Sequence, residues 1–338
     1  MNPIWVDDEG VLMGHGPHIT LDPGVGPDRF DRALSALRDS GRPTGFASFT
    51  FDESESGSVM VIPHSTTVET DMTVPAPPTG VTRVDDGIVE WRRGFRTAMN
   101  AIDTENLAKV VLARQVVVSL PDNLDPAQIV ARLTADNPDC YLFGVEGLVG
   151  ASPELLVSLK EGRVRTLALA GTATDPDELE SVKISEEHRH AAHSVSSVLS
   201  QYLADIDVTE QVIVRHGAMS HVGTRVEGPA IPGTTVTEIL GGLHPTAAVA
   251  GTPTKAAMDL IREMEPRSRG RYAGPVGWMN EDGEGVFAIA LRCGQIEGKQ
   301  MTLFAGGGLV EGSEEVSELA ETELKLAPML AALGHSSS

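Results

Sequence analysis

The strongest constraint on how this chain folds is a series of short turns, most of them containing glycine, between runs of β-forming residues. Each connection is too short for a crossover helix, so the joined strands must lie antiparallel. The predicted hairpins pair 141–145 with 148–150, 155–159 with 164–170, and 277–280 with 285–293, and a turn at 297–299 leads into 301–305. These turns predict antiparallel sheets covered by helices, and they argue against a doubly wound nucleotide-binding fold.

Two longer elements and one change in composition organise the rest of the chain. Residues 90–107 have the pattern of a helix, and residues 109–120 form a β-branched run typical of a strand. A stretch rich in Pro and Thr at 73–83 separates a Gly- and Asp-rich beginning from a more regular remainder. We therefore predict that residues 1–85 are a structural N-terminal segment of the same domain and that residues 86–334 carry the chemistry.

The charge of the chain excludes several classes of function. There are 26 Lys and Arg residues against 48 Asp and Glu, a formal charge of −22, and no basic run. Such a surface repels a phosphate backbone and an anionic bilayer, so we expect neither nucleic-acid nor membrane binding. A hydrophobic content of 41% still allows large cores. Two cysteines, short apolar runs and the lack of a basic leader predict a cytoplasmic protein.

The last predicted helix has a pattern that suits a cation. Its residues Glu318, Glu321 and Lys325 are spaced by three and four positions and therefore share one face. Three glycines at 306–308 precede it, and their backbone N–H groups can approach an anion closely. An exposed helix ion pair would explain Glu321 and Lys325 on spacing alone, and the glycine run is what favours a site.

A second acidic position, Glu187, lies at the start of another predicted helix. The apolar stripe of this helix is Ala191, Val195, Val198, Leu199 and Tyr202. Glu187 lies one turn before the stripe, where the helix dipole favours a carboxylate but desolvation without a partner is costly. Glu187 is therefore either a residue of a site or a solvated glutamate at a helix start.

Lys109 and Glu154 are candidates for proton transfer. Lys109 opens a strand with Val111 and Ala113 on its own face, and a lysine among apolar neighbours gives up its proton more easily. Glu154 precedes an apolar strand, and burial would keep this carboxyl group protonated. Both residues also have simpler explanations. Lys109 could extend its charge into solvent from a strand end, and Glu154 could be an ordinary glutamate at a sheet edge.

Arg292 and His244 are weaker candidates. Arg292 lies at the end of an otherwise apolar predicted strand, where a buried guanidinium would need an anionic partner such as a carboxylate. A solvent-facing arginine is the alternative. His244 is a lone histidine, a residue type that more often holds structure than catalyses. No zinc-binding histidine pair, nucleophile elbow, Walker loop or dinucleotide fingerprint is present.

Together these segments resemble the chorismate-utilising enzymes, and most closely the isochorismate synthases, over about residues 86–334. The matching segments are KVVLAR at 109–114, GASPELL at 150–156, LAGT at 169–172, KISEEH at 183–188, LHPTAAVAGTP at 243–253, RGRYAGPVGW at 269–278, ALRC at 290–293 and AGGGLVEGSEEVSELAETELK at 305–325. The resemblance implies an α+β fold of two closely associated halves, with central antiparallel sheets, outer helices and a cleft between the halves.

The resemblance also implies Mg²⁺ as cofactor and chorismate as substrate. It assigns Glu187 and Glu321 as metal ligands, with Glu318 acting nearby through water. The metal would hold the ring carboxylate and ease departure of the ring hydroxyl. The other substrate contacts that it implies are Lys325 and the backbone of Gly171, Thr172 and Gly308 at the ring carboxylate, and Tyr272 and Arg292 at the enolpyruvyl carboxylate.

For the chemistry, the resemblance assigns Lys109 as the base that activates water for attack at C2. It assigns Glu154 as the acid that protonates the departing C4 hydroxyl, and it places His244 in the same pocket as a third catalytic candidate. A neutral amine and a neutral carboxylic acid must coexist at one pH, so desolvation has to act on both groups. The resemblance therefore implies an enzyme that interconverts chorismate and isochorismate.

Two positions bear on the reaction within this family. Lysine at 109 and alanine at 248 resemble isochorismate synthases more than the aminases, which use ammonia. A salicylate synthase, an anthranilate or aminodeoxychorismate synthase subunit, and an inactive chorismate-binding protein stay open as alternatives. We expect a monomer without a glutaminase partner, and the pattern does not choose between siderophore, menaquinone and salicylate biosynthesis.

Overall fold

The computed structural model describes residues 1–104, 107–122, 124–173, 194–209, 211–216 and 219–335. Within these ranges the chain forms two ten-stranded antiparallel sheets and a set of helices. The helices are α1 Arg29–Ser40, α2 Ile88–Thr104, α3 Pro126–Asp136, α4 Val236–Leu243, α5 Thr254–Met264 and α6 Glu315–Ala332, together with a short helical stretch at 194–199.

Twenty strands build the two sheets. They are β1 Ile4–Asp7, β2 Gly10–His15, β3 Ile19–Leu21, β4 Thr44–Ser48, β5 Val59–Ile62, β6 Ser65–Glu69, β7 Thr82–Asp85, β8 Lys109–Ser119, β9 Tyr141–Val145, β10 Leu148–Ser152, β11 Leu155–Lys160, β12 Arg163–Ala173, β13 Asp207–Val208, β14 Val212–His216, β15 Met219–Pro229, β16 Gly251–Thr252, β17 Pro275–Asn280, β18 Gly285–Ile289, β19 Cys293–Glu297 and β20 Gln300–Leu309.

The first sheet has the strand order β16-β8-β20-β19-β10-β9-β1-β2-β6, with β7 also pairing β8. The second has the order β13-β15-β12-β11-β18-β17-β4-β5-β3, with β14 also pairing β15. The N-terminal strands β1 to β7 therefore contribute to both sheets. The functional division at residue 85 stays a prediction.

The sheets pack face to face, with helices outside. One large apolar core joins residues of both sheets to α1, α2, α4 and α5, for example Phe143 of the first sheet and Phe287 of the second. A second core lies between the other face of the first sheet and the helices α3 and α6. This arrangement confirms the predicted α+β class with central antiparallel sheets and outer helices. No helix among the described residues has the length and apolar character needed to cross a bilayer.

Most predicted elements are confirmed within a few residues. The expected helix at 90–107 is α2, which begins two residues earlier and ends at Thr104. The expected strand at 109–120 is β8, and the predicted hairpins are β9 with β10, β11 with β12 and β17 with β18. Glycine or a residue with positive φ closes the turns at 146–147 and 161–162, as the antiparallel connection requires.

One predicted strand, 285–293, is wrong as a single element. It ends at Ile289 in the second sheet, and β19 begins at Cys293 in the first sheet. Arg292 lies in the connection with φ at 45°, a left-handed conformation that turns the chain out of the strand. The apolar run continues from Val286 to Leu291, past the end of β18, so the local pattern does not reveal that the chain changes sheets.

A matching connection lies beside it. Strand β10 of the first sheet passes into β11 of the second through Pro153 and Glu154. Strand β10 pairs β19, and β11 pairs β18, so the two crossings are neighbours. Their backbones are hydrogen-bonded, from Ala151 N to Arg292 O at 3.2 Å and from Ile289 N to Glu154 O at 3.1 Å. The two crossings bring Glu154 and Arg292 to the seam between the sheets.

Candidate active site

The glycine run of β20 forms one wall of the candidate site because other side chains occupy the space of its missing side chains. A Cβ on Gly306 would lie 2.7 Å from the Tyr272 hydroxyl, and one on Gly308 would lie 2.6 Å from Lys109 Cε. A Cβ on Gly307 would lie 3.2 Å from Glu318 Oε2. Three elements thus converge on one strand, and the missing side chains of its glycines leave room for the Tyr272 hydroxyl, the Lys109 side chain and the Glu318 carboxylate.

Helix α6 brings its predicted face to this strand. Lys325 Nζ donates a hydrogen bond of 2.8 Å to Gly306 O and forms an ion pair with Glu321. Glu318 accepts a 2.7 Å hydrogen bond from Ser313, which lies two residues before the helix and which the sequence did not single out. Burial raises the pKa of Glu318 and lowers that of Lys325. The face is therefore partly desolvated, unlike that of an exposed helix pair.

Glu154 is the buried acid of the site. It is 8% exposed, and burial raises its pKa to about 7 against the opposing influence of Lys109 and Lys325. Lys109 also lies within electrostatic range of Glu318. A carboxyl group with this pKa is about half protonated near neutral pH and can donate a proton. The structure thus places Lys109 and Lys325 within electrostatic range of Glu154. The roles of Lys109 as base and Glu154 as acid stay predictions.

Arg292 supplies a buried positive charge. It is 9% exposed, and burial lowers its pKa to about 10, so it stays protonated at neutral pH. Its electrostatic neighbours include Tyr272 and Glu321. The Tyr272 ring stacks on Phe304 with centroids 4.9 Å apart, and burial raises the pKa of its hydroxyl. An arginine beside a neutral tyrosine is a suitable receptor for a carboxylate.

A cavity lies next to Glu154, between strands β11 and β12 and the segment 242–248. Its lining includes Glu154 and the apolar residues Val195, Pro245 and Ala248. The predicted residues Gly171 and Thr172 lie near the end of β12, where the register against β15 shifts. Only their backbone positions belong to the described structure.

His244 is held by the N-terminal segment. Its Nε2 lies 2.9 Å from Phe51 O, and its ring is edge-on to the Phe51 ring at 6.0 Å. Burial lowers its pKa to about 3, so the imidazole is neutral at physiological pH. Its Nδ1 is buried and makes no hydrogen bond within the described residues. Its predicted place in the substrate pocket stays a prediction.

Another histidine has a position that sequence reasoning missed. His221 lies on β15 between Ser220, which pairs Ala173, and Val222, which pairs Ala170. It therefore lies opposite the irregularity that contains Gly171 and Thr172. Pairing across the sheet is the only signal for it, because no local motif surrounds His221.

The described carboxylates provide part of a possible metal site. Glu318 and Glu321 are close enough for the charge of Glu321 to raise the pKa of Glu318. Mg²⁺ is commonly bound by one or two carboxylates together with water and substrate oxygens, so this pair fits that ion. Among the described residues, no group of three or more His, Cys, Asp or Glu side chains is arranged around a metal. The third predicted ligand, Glu187, lies outside the described residues.

Similarity to known proteins agrees with this site. A family model described as chorismate binding enzyme matches residues 64–334. The isochorismate synthase MenF of Bacillus subtilis is 33% identical over 261 residues, which are 72% of this chain and 55% of MenF. The isochorismate synthase DhbC of the same organism is 32% identical over 269 residues, 72% of this chain and 68% of DhbC. The chain thus spans little more than half the length of MenF.

A solved structure agrees over nearly the whole chain. The structure of DhbC from Bacillus anthracis superposes with a TM-score of 0.88 at 28% identity, covering 99% of this chain and 96% of that one. The likeness therefore includes the N-terminal strands that precede the residues matched by the family model.

Proposed function

We propose that this chain, which belongs to the chorismate-binding enzyme family, is a Mg²⁺-dependent isochorismate synthase that interconverts chorismate and isochorismate. The observation that carries the proposal is the placement of Glu154, with its pKa raised to about 7, within electrostatic range of Lys109. One group can accept a proton while the other donates one. The relatives named as isochorismate synthases support the same reaction.

Lys109 acts as the general base in this mechanism. It removes a proton from a water molecule whose oxygen forms a bond to C2 of chorismate. The ring double bonds shift, and the C4–O bond breaks as Glu154 donates its proton to the departing hydroxyl. Water enters and water leaves, so the reaction is an isomerisation. The reverse reaction uses the same two groups with their roles exchanged.

Two cationic positions bind the two carboxylates of the substrate. Arg292, beside Tyr272, binds the enolpyruvyl carboxylate, because its charge persists at neutral pH. Lys325 and the backbone N–H groups of Gly171, Thr172 and Gly308 bind at the ring carboxylate.

Glu187 and Glu321 would hold Mg²⁺, with Glu318 acting nearby through water. When bound, the ion neutralises the ring carboxylate and draws electrons away from the ring, which eases loss of the hydroxyl. The same acidic face makes this end of the site attractive to a cation despite the nearby lysine.

Lys109 and Ala248 favour water over ammonia as the nucleophile, and we propose that the enzyme works as a single chain without a glutaminase. His244 begins the 244–248 segment, and its contact with Phe51 O holds this end of the segment in place. Relatives specific for menaquinone and siderophore biosynthesis both occur, so the reaction, not the pathway, is the proposal.

The deciding experiment is incubation of the purified protein with chorismate and Mg²⁺, followed by chromatographic separation of the products. Isochorismate is the expected product. Salicylate with pyruvate would identify a salicylate synthase, and a product formed only with added ammonia would identify an aminase. Binding of chorismate without turnover would identify an inactive binding protein, and each of these three results would overturn the proposal.

The metal assignment is tested by Mg²⁺ titration of a Glu321→Ala variant. Loss of one carboxylate ligand should weaken Mg²⁺ binding about tenfold or more. Glu315→Ala is the matched control, because Glu315 lies on the same helix but forms a salt bridge with Arg92 at 3.0 Å. An unchanged titration for Glu321→Ala would remove this residue from the metal site.

A further inference from the structure

We propose that the buried ion pair between Glu265 and Arg269 is a positioning unit for the reaction: it takes the place of a strand partner at Val111 and Ala113 of β8, and it ties the strand of Lys109 to the segment that carries Ala248. This inference rests on the proposed function for its catalytic consequence. Its structural part, the bracing of β8, is independent of that function.

Strand β8 is paired along one edge but only at the ends of the other. Strand β20 covers the first edge from Ser119 to Val110. On the second edge, β16 pairs only residues 109–110 and β7 only residues 117–119. Val111 N donates one further hydrogen bond on this edge, to Ala250 O at 2.9 Å. Beyond that bond, residues 111–116 have no ladder partner on that side within the described strands. Exposed backbone groups in such a gap need other partners.

The ion pair supplies partners for two backbone groups in this gap. Arg269 Nη2 donates to Val111 O at 2.8 Å, and Glu265 Oε1 accepts from Ala113 N at 2.9 Å. Residues 111 and 113 direct these groups toward the same edge, so the pair presents a donor and an acceptor at the spacing of a strand. Arg269 Nε and Glu265 Oε2 are 2.8 Å apart, which fixes the two side chains relative to each other.

The same guanidinium also contacts a segment next to the cavity beside Glu154. Arg269 Nη1 donates to Val249 O at 2.9 Å, directly after Ala248, which lines the cavity with Glu154. Val111 is two residues from Lys109 and has its side chain on the same face of β8. One planar group thus connects the strand of the base to the segment that carries Ala248. The Phe51 ring lies 4.3 Å from the guanidinium and limits its movement.

Stability alone is a weak explanation for this pair. The Arg269 and Glu265 side chains are 2% and 7% exposed, and burying both charges costs much of what their attraction contributes. Apolar residues of similar size often stabilise a protein equally well in such places. Apolar residues would not reproduce the hydrogen bonds that hold β8 in position, and catalysis is sensitive to displacements of about 1 Å.

The test is a Glu265→Leu/Arg269→Met double variant, assayed by chorismate kinetics, thermal unfolding and hydrogen exchange. We expect kcat to fall about 10- to 100-fold with KM within about threefold, because misplacement affects the reacting groups more than binding. The peptide containing residues 109–113 should exchange faster. A kcat within about twofold of wild type, or unchanged exchange, would overturn the proposal.

Arg271→Met is the matched control. Arg271 is also buried, and it donates to Val145 O at 3.0 Å and to Glu146 O at the turn between β9 and β10. Its loss should increase exchange at 141–146 and lower the melting temperature while kcat stays near that of wild type. An equal fall of kcat in this variant would reduce the effect of the ion pair to general destabilisation and overturn its positioning role.

Should the double variant not fold, Arg269→Lys decides the question. Lysine keeps the charge beside Glu265, but a single ammonium does not reproduce the planar fork that reaches Val111 O and Val249 O. A clear loss of kcat with retained folding supports the proposal, and wild-type kcat overturns it. If the wild-type protein makes no isochorismate, the proposed function fails, while the exchange measurement still decides whether the pair braces β8.

Discussion

The two crossings between the sheets are built alike but have opposite chemical results. Each places one ionisable side chain at the seam, Glu154 at 8% and Arg292 at 9% exposure. Burial disfavours the charged form of both, raising the pKa of Glu154 to about 7 and lowering that of Arg292 to about 10. At neutral pH the glutamate is therefore half neutral, whereas the arginine keeps its charge.

This difference explains how one desolvated seam can serve two tasks. The ordinary pKa of a glutamate is close enough to neutrality for burial to make it a proton donor, and that of an arginine is too high. The backbones also differ, because Arg292 has φ at 45° whereas Glu154 is not among the residues with positive φ. The same topology thus provides a proton donor from one crossing and a permanent cation from the other.

The largest expected effect comes from Glu154→Gln, which keeps the shape of the side chain but removes its proton. We expect kcat to fall about 10²- to 10⁴-fold, the usual contribution of a general acid, with little change in KM. Steady-state kinetics with chorismate measure this. Glu161→Gln, at the exposed turn after β11, is the control, and a kcat of Glu154→Gln within tenfold of wild type would contradict the role.

Arg292→Lys probes the other crossing with its charge retained. Lysine lacks the planar fork that binds a carboxylate through two hydrogen bonds, so we expect KM for chorismate to rise about 10- to 100-fold, a change worth about 1.4 to 2.8 kcal/mol. The value of kcat should change less. Equilibrium binding and kinetics measured together test this, and a fall confined to kcat would show that Arg292 acts on the reaction and not on binding.

The two crossings should also differ in how the free energy of unfolding depends on pH, and this effect is smaller than the two kinetic ones. The folded-state pKa of Glu154 lies above its ordinary value of 4.5, so its contribution is fully present below pH 4.5 and is lost as pH rises through about 7. The free energy of unfolding of Glu154→Gln, taken relative to that of wild type, should therefore rise by about 1–3 kcal/mol from pH 5 to pH 8. Denaturant unfolding at both pH values measures this gain. Arg292→Met should show no comparable pH-dependent difference, and a gain equal to that of Glu154→Gln would refute the comparison.

The smallest effect concerns the pH dependence of kcat. The protonated form of Glu154 is the donor, so kcat should fall as pH rises through about 7. Lys325 favours the carboxylate form, and Lys325→Met should therefore move this alkaline limb to higher pH while lowering activity overall. Rate profiles from about pH 5 to 9 test this. A limb that moves to lower pH would show that another group controls it.

Local sequence predicted the hairpins well because glycine-containing turns leave few other ways to connect β-forming runs. The pairs β9 with β10 and β11 with β12 illustrate this, since both begin and end within a few residues of expectation. The crossing at Arg292 was missed because its geometry depends on pairing with β10 and β11, which are distant in sequence. A period-two pattern carries no record of which sheet a strand joins.

The candidate site likewise combines features that local sequence predicts with features that depend on pairing between distant segments. Lys109, Glu154 and Lys325 were each recognisable from their neighbours and from a family resemblance, but their convergence follows from the pairing of β8 with β20 and from the first crossing. Glu265 and Arg269 were not singled out, because their spacing of four residues does not reveal that both side chains reach the backbone of β8. Only the gap along β8 gives this pair its distinct role.

The crossings also have a consequence for how the chain folds. Neither sheet can be completed by a continuous part of the chain, because β10 and β11, like β18 and β19, belong to different sheets. Contacts such as Val110 with Leu309 join distant parts of the sequence, which predicts slow folding. We therefore expect the two sheets to unfold in one cooperative transition, and a fragment cut at either crossing to have no stable fold of its own.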